Sequence, residues 1–505
     1  MHVPADKSNR RIQLTRGFTA RSNLDMSHMD TLKYINDPIH GYIGLDDYAL
    51  KFIDTPQFQR LRHLKQLGTS YYVFPGGSHH RFEHCIGTSF LANNVVTGLK
   101  ERQPELDINE RDIRCVTLAG LCHDLGHGPF SHVFDNEFIP RARPGLSWSH
   151  EEGSEMMLQY AIDDNHIDID TDDVKFIKQL ILGTKATSVG TEKMFLFDIV
   201  ANKRNGVDVD KFDYIQRDCY NVGVKSSYDF SRLMLNSRVI DNEICYSRKE
   251  AYNLTEMFHT RYSLHKRVYA HPAAKAIEFM LIDAMLIADP VLELSQAVLD
   301  PERYLYLTDE IVRDIERSRE PELETARAIL RRLQKRELYK LVDEFILPPE
   351  LSSIADSRIV SAAKIAEFRS DNDDFTERDV LVDINRMHYG MKNENPVEHI
   401  NFYSKYNGDE KFPIASELIS ACVPNKYEEL IIRIFTRDPA KSKQIQRAAR
   451  RLMDTFNSSP FIASSPLKSI TPNRGLTFPD SMGEPDIKKR RLDFSAKPDR
   501  AENKP

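Results

Sequence analysis

The sequence predicts a mainly α protein: a large helical core, a small α+β subdomain near the C-terminus, and unstructured ends. Three observations carry this expectation. From Tyr34 to about Val342, apolar residues recur at three- and four-residue spacing, as in "SEMMLQYAI", "DVKFIKQLIL" and "FMLIDAMLIA". That is the period of a helix with one buried face. Beyond the polar stretch "PPELSSIADSR", the segments "DVLVDINRMHYG" and "EHINFYSKY" show the alternation and β-branched content of short strands. The two ends are polar, with too few apolar residues to bury a core.

Taken in order, residues 1–30 are expected to form a disordered segment and residues 31–345 the helical core. The stretch "DIRCVTLAGLC" is apolar on nearly every face and reads as a buried helix ending at "CHDLGHGPFSH". In "SWSHEEGSEMMLQY", Ser149 and Glu152 have the S-x-x-E spacing of a capping box, which puts His150 and Glu151 in a first helical turn. "LETARAILRRLQKRELYKLV" carries a helical pattern through to Val342. Residues 346–456 are expected to form the α+β subdomain, in which "NKYEELIIRIFTRD" and "KQIQRAARRLMDTF" return to helix after the strands. Residues 457–505, rich in Ser, Pro, Lys and Arg, read as a disordered regulatory tail.

The 505 residues are 41% hydrophobic and 29% charged, with a net charge of −7, so a nucleic-acid surface would have to be local. The six cysteines have no CxxC pairing and read as reduced core residues of an intracellular protein. No apolar run is long enough to span a bilayer, and "MHVPADKSNRRIQLTR" lacks the apolar region of a secretory signal, so no membrane partner is expected.

The chemistry concentrates in the histidines. Seven of 17 lie between His79 and His150: His79, His80, His84, His123, His127, His132 and His150. His123 and Asp124 sit where the buried helix runs out, and the negative end of the helix dipole favours a cation there. Imidazole with carboxylate suits iron, manganese or zinc better than calcium or magnesium. His84, in "RFEHCIG", is a candidate third ligand, and "NGVDVDKFDYIQRDCYN" offers a fourth. On a helix, Asp210, Lys211, Tyr214, Arg217 and Asp218 fall within an arc of about 120°. Alone, such a face is ordinarily a solvated one; beside an H…HD cluster it reads as part of a site. His132 and Asp135 are three apart, a pairing suited to a general acid. The first turn at His150 offers backbone donors that attract phosphate.

The pattern His84, His123-Asp124, Asp210 resembles the HD-domain metal phosphohydrolases. The surrounding text is more specific: "INDPIHGYI", "DTPQFQRLRHLKQLG", "SHHRFEHCIGTS", "LAGLCHDLGHGPFSH", "NKRNGVDVDKFDY" and "MFHTRYSLHKR". These resemble the eukaryotic deoxynucleoside triphosphate triphosphohydrolases that pair a sterile alpha motif domain with an HD domain. The resemblance runs from about Lys33 to about Asp454, and the short stretch before Lys33 leaves no room for a sterile alpha motif domain. It implies an HD-domain helical core and cleavage of a dNTP between the 5′ oxygen and the α-phosphorus, releasing deoxynucleoside and triphosphate.

By the same resemblance, His84, His123, Asp124 and Asp210 hold one transition metal, with magnesium on the nucleotide phosphates. His132, supported by Asp135, protonates the leaving oxygen, with His150 as the alternative. His127, His150 and Glu151 position water and phosphate. Arg81, Lys211 and Arg261 neutralise the triphosphate. Asp218 and Gln66 hold the 3′ hydroxyl, while Tyr214, Leu67 and Tyr269 pack on the sugar. Arg261, His265 and Tyr269 share one helical face by their four-residue spacing.

The resemblance further implies activation by GTP and dNTP through a homotetramer, with matching positions at Lys33, Asn36, Asp54, Gln59, Arg62, Arg232, Lys249, Asn253, His271 and Arg336. Ala270 and Pro272 replace a glutamine and a lysine of the family pattern, and Ser247 stands where an arginine is expected. In the tail, Ser465 and Thr471 precede proline, and "KKRRLDF" reads both as a nuclear import patch and as a cyclin-docking sequence. Together they favour a protein of the nucleus and also the cytosol, tuned by phosphorylation, with a cyclin or kinase as partner of the tail. Two other readings stay open from sequence: an HD phosphodiesterase or nuclease on RNA or single-stranded DNA, and a regulatory module that binds single-stranded nucleic acid.

Overall fold

The computed structural model describes residues 32–184, 193–347, 356–422, 424, 426–456 and 463–464. The chain enters as a hairpin, not a helix: β1 (Lys33–Asp37) pairs antiparallel with β2 (Gly41–Leu45), from Lys33↔Leu45 to Asp37↔Gly41. This corrects the helical expectation from Tyr34. Gly41 closes the turn at φ +74°, a conformation a helix cannot use, and Ile43 and Leu45 alternate into the core.

A helical core follows. Helix α1 (Arg81–Arg102) packs along α2 (Glu110–Cys122), whose Cys115, Val116, Leu118, Ala119, Leu121 and Cys122 are all buried. Each such side chain removed from water contributes about 1.5–3 kcal/mol for the larger apolar types. Helices α3 (His150–Asp164) and α4 (Thr171–Leu182) extend this layer, and α4 packs on α2. Helix α5 (Val209–Val222) lies against α1 and buries Phe212, Ile215 and Cys219. Hairpin β3 (Ser237–Ile240) and β4 (Glu243–Ser247) comes next, another departure from helix. Its two turn residues, Asp241 and Asn242, both have positive φ, the conformation of a tight hairpin turn. Helix α6 (Ala251–Leu264) leads to α7 (Pro272–Leu292), which packs on α8 (Glu324–Gln334). No described helix is long and apolar enough to cross a membrane.

The helical pattern expected to reach Val342 ends at Gln334. Arg336 takes φ +62°, and β5 (Lys340–Leu347) begins four residues later. Beyond it come a short helix (Ala362–Glu367), β6 (Val380–His388), β7 (Asn401–Ser404), β8 (Asn407–Pro413), β9 (Glu428–Thr436) and α9 (Ser442–Asp454), and the two-residue strand Ala463–Ser464 pairs with the outer edge of β5. The strands expected at "DVLVDINRMHYG" and "EHINFYSKY" and the helix at "KQIQRAARRLMDTF" are present. The helix expected at "NKYEELIIRIFTRD" is instead β9, the strand between β5 and β6. Its Leu430–Phe435 run is buried throughout, and a strand covered on both faces has no alternation to read. Ile445, Ala448, Leu452 and Met453 of α9 close a second core over Phe345, Ile432 and Ile434.

The boundary placed at 345/346 falls inside β5, and β7 pairs in parallel with β4, joining residues beyond that boundary to the hairpin of the helical core. Cys85, Cys115, Cys122, Cys219 and Cys245 are buried and unpaired, while Cys422 is exposed. Residues 1–30 and the tail features at Ser465, Thr471 and 488–494 lie outside the described residues.

One buried acid gives a test of the packing. Burial pushes the Asp198 carboxyl up to about 6, against the opposing pull of Arg204 and of the Ile244 N–H that it accepts at 3.3 Å. In the unfolded chain an aspartate ionises near pH 4. Stability is therefore full below about pH 4 and is lost as pH rises through about 6. Asp198→Asn is expected to raise stability on the order of 2 kcal/mol at pH 7.5 and far less at pH 4, read from thermal midpoints at the two pH values.

Candidate active site

Three helices bring the four expected metal ligands together. His84 lies in the first turn of α1, and His123 and Asp124 at the end of α2. Asp210 lies in the first turn of α5, whose cap Asp208 accepts the Lys211 N–H at 3.1 Å. His84 Nε2 is 3.2 Å from His123 Nε2, 3.2 Å from Asp210 Oδ1 and 3.5 Å from Asp124 Oδ2. His123 Nε2 is 3.5 Å from both Asp124 Oδ1 and Asp210 Oδ1. Ligands at about 2.0–2.1 Å from one tetrahedral ion stand about 3.3–3.4 Å apart. The separations of the two imidazoles from each other and from the carboxylates match, with His84, His123 and Asp124 forming the compact group and Asp210 reaching it through the two imidazoles.

Each imidazole is anchored by its other nitrogen: His84 Nδ1 contacts Asp213 Oδ2 at 2.7 Å, and His123 Nδ1 contacts the Gly120 carbonyl at 2.9 Å. Both Nε2 atoms therefore face the cluster. The cluster draws positive charge. Burial works against a charged His84, yet the carboxylates of Asp210 and Asp213 outweigh it and push the imidazole up to about 10. The donor set fits one iron, manganese or zinc ion and does not choose among them.

Beside the cluster stand His127, His132, Asp135 and His150. The capping box expected at Ser149 and Glu152 is formed and aims α3 at the cleft. Close backbone approach makes this possible: a Cβ on Gly126 would lie 2.0 Å from Ser154 N and 2.2 Å from the His150 carbonyl. Asp135 sits in a π-helical turn, Phe134–Phe138, and its Oδ2 contacts His150 Nδ1 at 2.6 Å. His132 Nδ1 is 3.7 Å from Asp135 Oδ1, an atom buried without a hydrogen-bond partner. Asp135 thus holds His150 directly and faces His132 across a short gap. Burial alone would raise the Asp135 carboxyl, but the two imidazoles hold it well below the usual range. His127 stacks on His150 with centroids 4.0 Å apart and is kept from protonating by burial and Arg81.

Of these groups His84, Asp124, His127, His132, His150 and Asp210 line a pocket of about 710 Å³. All nine residues expected to contact substrate line it: Gln66, Leu67, Arg81, Lys211, Tyr214, Asp218, Arg261, His265 and Tyr269. Several are already engaged. Arg81 Nη1 bonds Asp124 and its Nε donates to Ser131 Oγ at 3.0 Å, while Lys211 Nζ lies 3.0 Å from Asp208. Arg261 Nη1 donates to the His388 carbonyl at 2.8 Å, leaving Nε buried without a partner, and Gln66 Oε1 is likewise unpartnered. Asp218 accepts from the Tyr269 hydroxyl at 2.5 Å and contacts His79 Nε2 at 2.6 Å. Arg217, placed by helical spacing on the same face, does not reach the pocket: it turns inward to Asp213 and Asp37. A 100° step fixes where a Cα lies, not where a long side chain goes.

None of the ten residues expected to bind activators lines this pocket. Lys33 and Asn36 are exposed on β1, as are Asp54 and Arg62; Arg62 lies 3.5 Å over the Phe82 ring and donates to Gln59 at 2.8 Å. Arg232 and Asn253 converge on Glu250, and Lys249 is exposed beside it. His271 caps α7, and the exposed Arg336 donates to the Tyr72 carbonyl at 3.2 Å. Within one chain these groups do not form a single site. Of the departures from the family pattern, Ala270 lines the pocket, Pro272 opens α7 and Ser247 is buried at the end of β4.

Sequence reasoning missed Asp213, His40 and the role of His79. The one signal for Asp213 was its four-residue spacing from Arg217, which marks an intrahelical ion pair. Arg60 was also passed over. Its guanidinium donates to the carbonyls of Leu125, Tyr304 and Leu307, and so ties down the loop after Asp124.

Comparison with known proteins agrees with this geometry. The HD domain model matches residues 81–218, which include His84, His123, Asp124 and Asp210, and the HD associated region model matches residues 228–458. The chain is 45% identical over 457 residues to the Dictyostelium discoideum homolog of deoxynucleoside triphosphate triphosphohydrolase SAMHD1, covering 90% of this chain and 86% of that protein. It is 43% identical over 456 residues to the Homo sapiens deoxynucleoside triphosphate triphosphohydrolase SAMHD1, covering 81% and 71%. The Danio rerio protein of the same name is 41% identical over 443 residues, covering 81% and 71%. With the ligand cluster inside the matched HD segment and the likeness running on through the C-terminal sheet, the chain belongs to the SAMHD1 family of HD-domain proteins.

Proposed function

We propose that this protein hydrolyses deoxynucleoside triphosphates to deoxynucleoside and intact triphosphate. The observation that carries the proposal is the convergence of His84, His123 and Asp124, with Asp210 Oδ1 3.2 and 3.5 Å from the two imidazoles, beside a nucleotide-sized pocket that His84, Asp124 and Asp210 line together with His132, His150, Asp218 and Tyr269. His84, His123, Asp124 and Asp210 would hold a transition metal, which would supply Lewis-acid polarisation of a phosphoryl oxygen. Lys211 and Arg261, which line the pocket, would neutralise the triphosphate, whose phosphates would also carry magnesium, and Arg81 orients Asp124. His132 donates the proton that the 5′ oxygen needs to leave. Asp135 orients it, and His150 locks Asp135 in place; catalytic contacts of this kind are often long until substrate binds. His127 and Glu151 border the path of the attacking water.

Sugar selection follows from Asp218 and Tyr269. Their hydrogen bond fixes the phenol against the sugar position, where a 2′ hydroxyl meets bulk without a polar partner. Tyr269→Ala is expected to raise turnover of ribonucleoside triphosphates relative to dNTPs by about tenfold or more, measured as a ratio of kcat/KM values.

Activation by GTP and dNTP through tetramer assembly is supported by the exposed positions of Lys33, Asn36, Arg62, Arg232, Lys249 and Arg336, all outside the cleft. Nuclear localisation and tuning by phosphate at Ser465 or Thr471 rest on the tail sequence; phosphate near Thr471 would weaken assembly by like-charge repulsion. The deciding experiment is chromatography of products from dGTP with manganese or magnesium. Deoxyguanosine and intact triphosphate support the proposal. Pyrophosphate with a monophosphate, or RNA cleavage without dGTP turnover, rejects it.

A further inference from the structure

We propose that Asp213 is a positioning residue for the metal centre, and that Arg217 and Asp37 extend its hold to the β1–β2 hairpin. The seating of that hairpin then sets the aim of His84. The inference rests on the metal reading of the site given above.

Asp213 is fully buried, and each of its oxygens has two partners. Oδ2 contacts His84 Nδ1 at 2.7 Å and accepts from Arg217 Nε at 2.8 Å. Oδ1 contacts His40 Nε2 at 2.6 Å and accepts from Arg217 Nη2 at 2.8 Å. An ionised carboxylate has about four lone-pair sites, and here all four are used. With both imidazoles donating, Nδ1 of His84 keeps its proton toward Asp213, and Nε2, which a bound metal would strip of any proton, faces Asp210, Asp124 and His123. A carboxylate behind a ligating histidine fixes the ring and raises its basicity.

The network closes on the hairpin. Arg217, also fully buried, donates from Nη1 to Asp37 Oδ2 at 2.7 Å. The other oxygen of Asp37 accepts the N–H groups of Ile39 and His40, at 2.8 and 2.9 Å. Asp37 therefore shapes the turn that carries His40 back to Asp213. The circuit runs from the carboxylate through the guanidinium to Asp37, along the turn, and returns by the imidazole. Helix α1 passes directly over it: a Cβ on Gly87 would lie 2.0 Å from Asp213 Oδ1 and 2.5 Å from Arg217 Nη2. Only a glycine leaves the pair its room.

Two carboxylates and one guanidinium out of water are a weak way to stabilise a fold, since well-packed apolar residues often do better. Their geometric effect is definite: they leave His84 one orientation, with its Nδ1 proton directed at Asp213 and Nε2 left for the metal.

The test uses the full chain, stripped of metal by chelation, with Mn²⁺ alone as the probe of affinity and Co²⁺ as the spectroscopic probe. In Asp213→Asn, Mn²⁺ affinity is expected to fall about 10–100-fold. In Asp37→Asn, whose altered group touches none of the metal ligands, affinity falls to a smaller extent and the visible spectrum of the Co²⁺ form shifts. Asp213→Glu is expected to recover part of the lost affinity. Native Mn²⁺ affinity and a native Co²⁺ spectrum in a folded Asp37→Asn would overturn the link to the hairpin. The same result in a folded Asp213→Asn, or in His40→Asn should Asp213→Asn not fold, would overturn the positioning role. Failure of the unaltered chain to bind Mn²⁺ would instead reject the metal reading itself.

Discussion

Asp210→Ala is expected to lower dNTP turnover by about 10³-fold or more while leaving the protein folded. The loss follows from the position of the carboxylate. His84 and His123 meet its Oδ1 at 3.2 and 3.5 Å, and it is the only one of the four ligands supplied by α5. Without it the site keeps two imidazoles and one carboxylate, a poorer grip on a divalent ion and a worse-aimed one. Charge stabilisation by a well-held ion is worth several kcal/mol, and each 1.36 kcal/mol lost from the barrier is a factor of ten. Asp210 suits the experiment because its side chain is 30% exposed, against 1% for His84, so truncation does not open the core. Turnover measured beside bound metal and the thermal midpoint separates the expected result, low activity and low metal in a stable fold, from general unfolding.

Asp135→Asn is the second large effect: a fall in kcat of about 10²–10⁴-fold with metal content unchanged. The carboxylate accepts from His150 on one oxygen and faces His132 on the other. An amide can serve only one of them as acceptor and presents N–H to the other, which forces that imidazole into the wrong tautomer or turns it away. His132→Gln is expected to lose about as much as Asp135→Asn, and the double variant little more than either, because residues that act as a unit are strongly non-additive. Additive losses would mean that Asp135 serves His150 alone. Steady-state kcat and KM on dGTP, with metal analysis of each variant, check this.

What the sequence disclosed, and what it hid, has physical reasons. His123-Asp124 was legible because ionisable residues at the end of an apolar helix are costly unless something binds them, and Ser149–Glu152 because a capping box is a local motif. Asp210, Lys211, Tyr214 and Asp218 were legible as one face of α5, and all four line the pocket. Arg217 was misplaced because burial beside two carboxylates, a tertiary fact, decides where its side chain goes. Asp213 and His40 are 173 positions apart and meet only when the hairpin docks. Strand β9 was misread as helix because Leu430–Phe435 is covered on both faces, and the hairpins were missed because each depends on positive-φ residues in a short turn. The overall resemblance carried the family reading further than any single pattern could.

The most direct measurement is anomalous diffraction at the manganese absorption edge from crystals grown with Mn²⁺. A single strong peak is expected within bonding reach of His84 Nε2, His123 Nε2, one oxygen of Asp124 and one of Asp210, at about 2.0–2.3 Å from each. Crystals saturated with Mn²⁺ that show no peak there, or a peak that leaves Asp210 unbound, would contradict the four-ligand centre and the hydrolysis proposed at it.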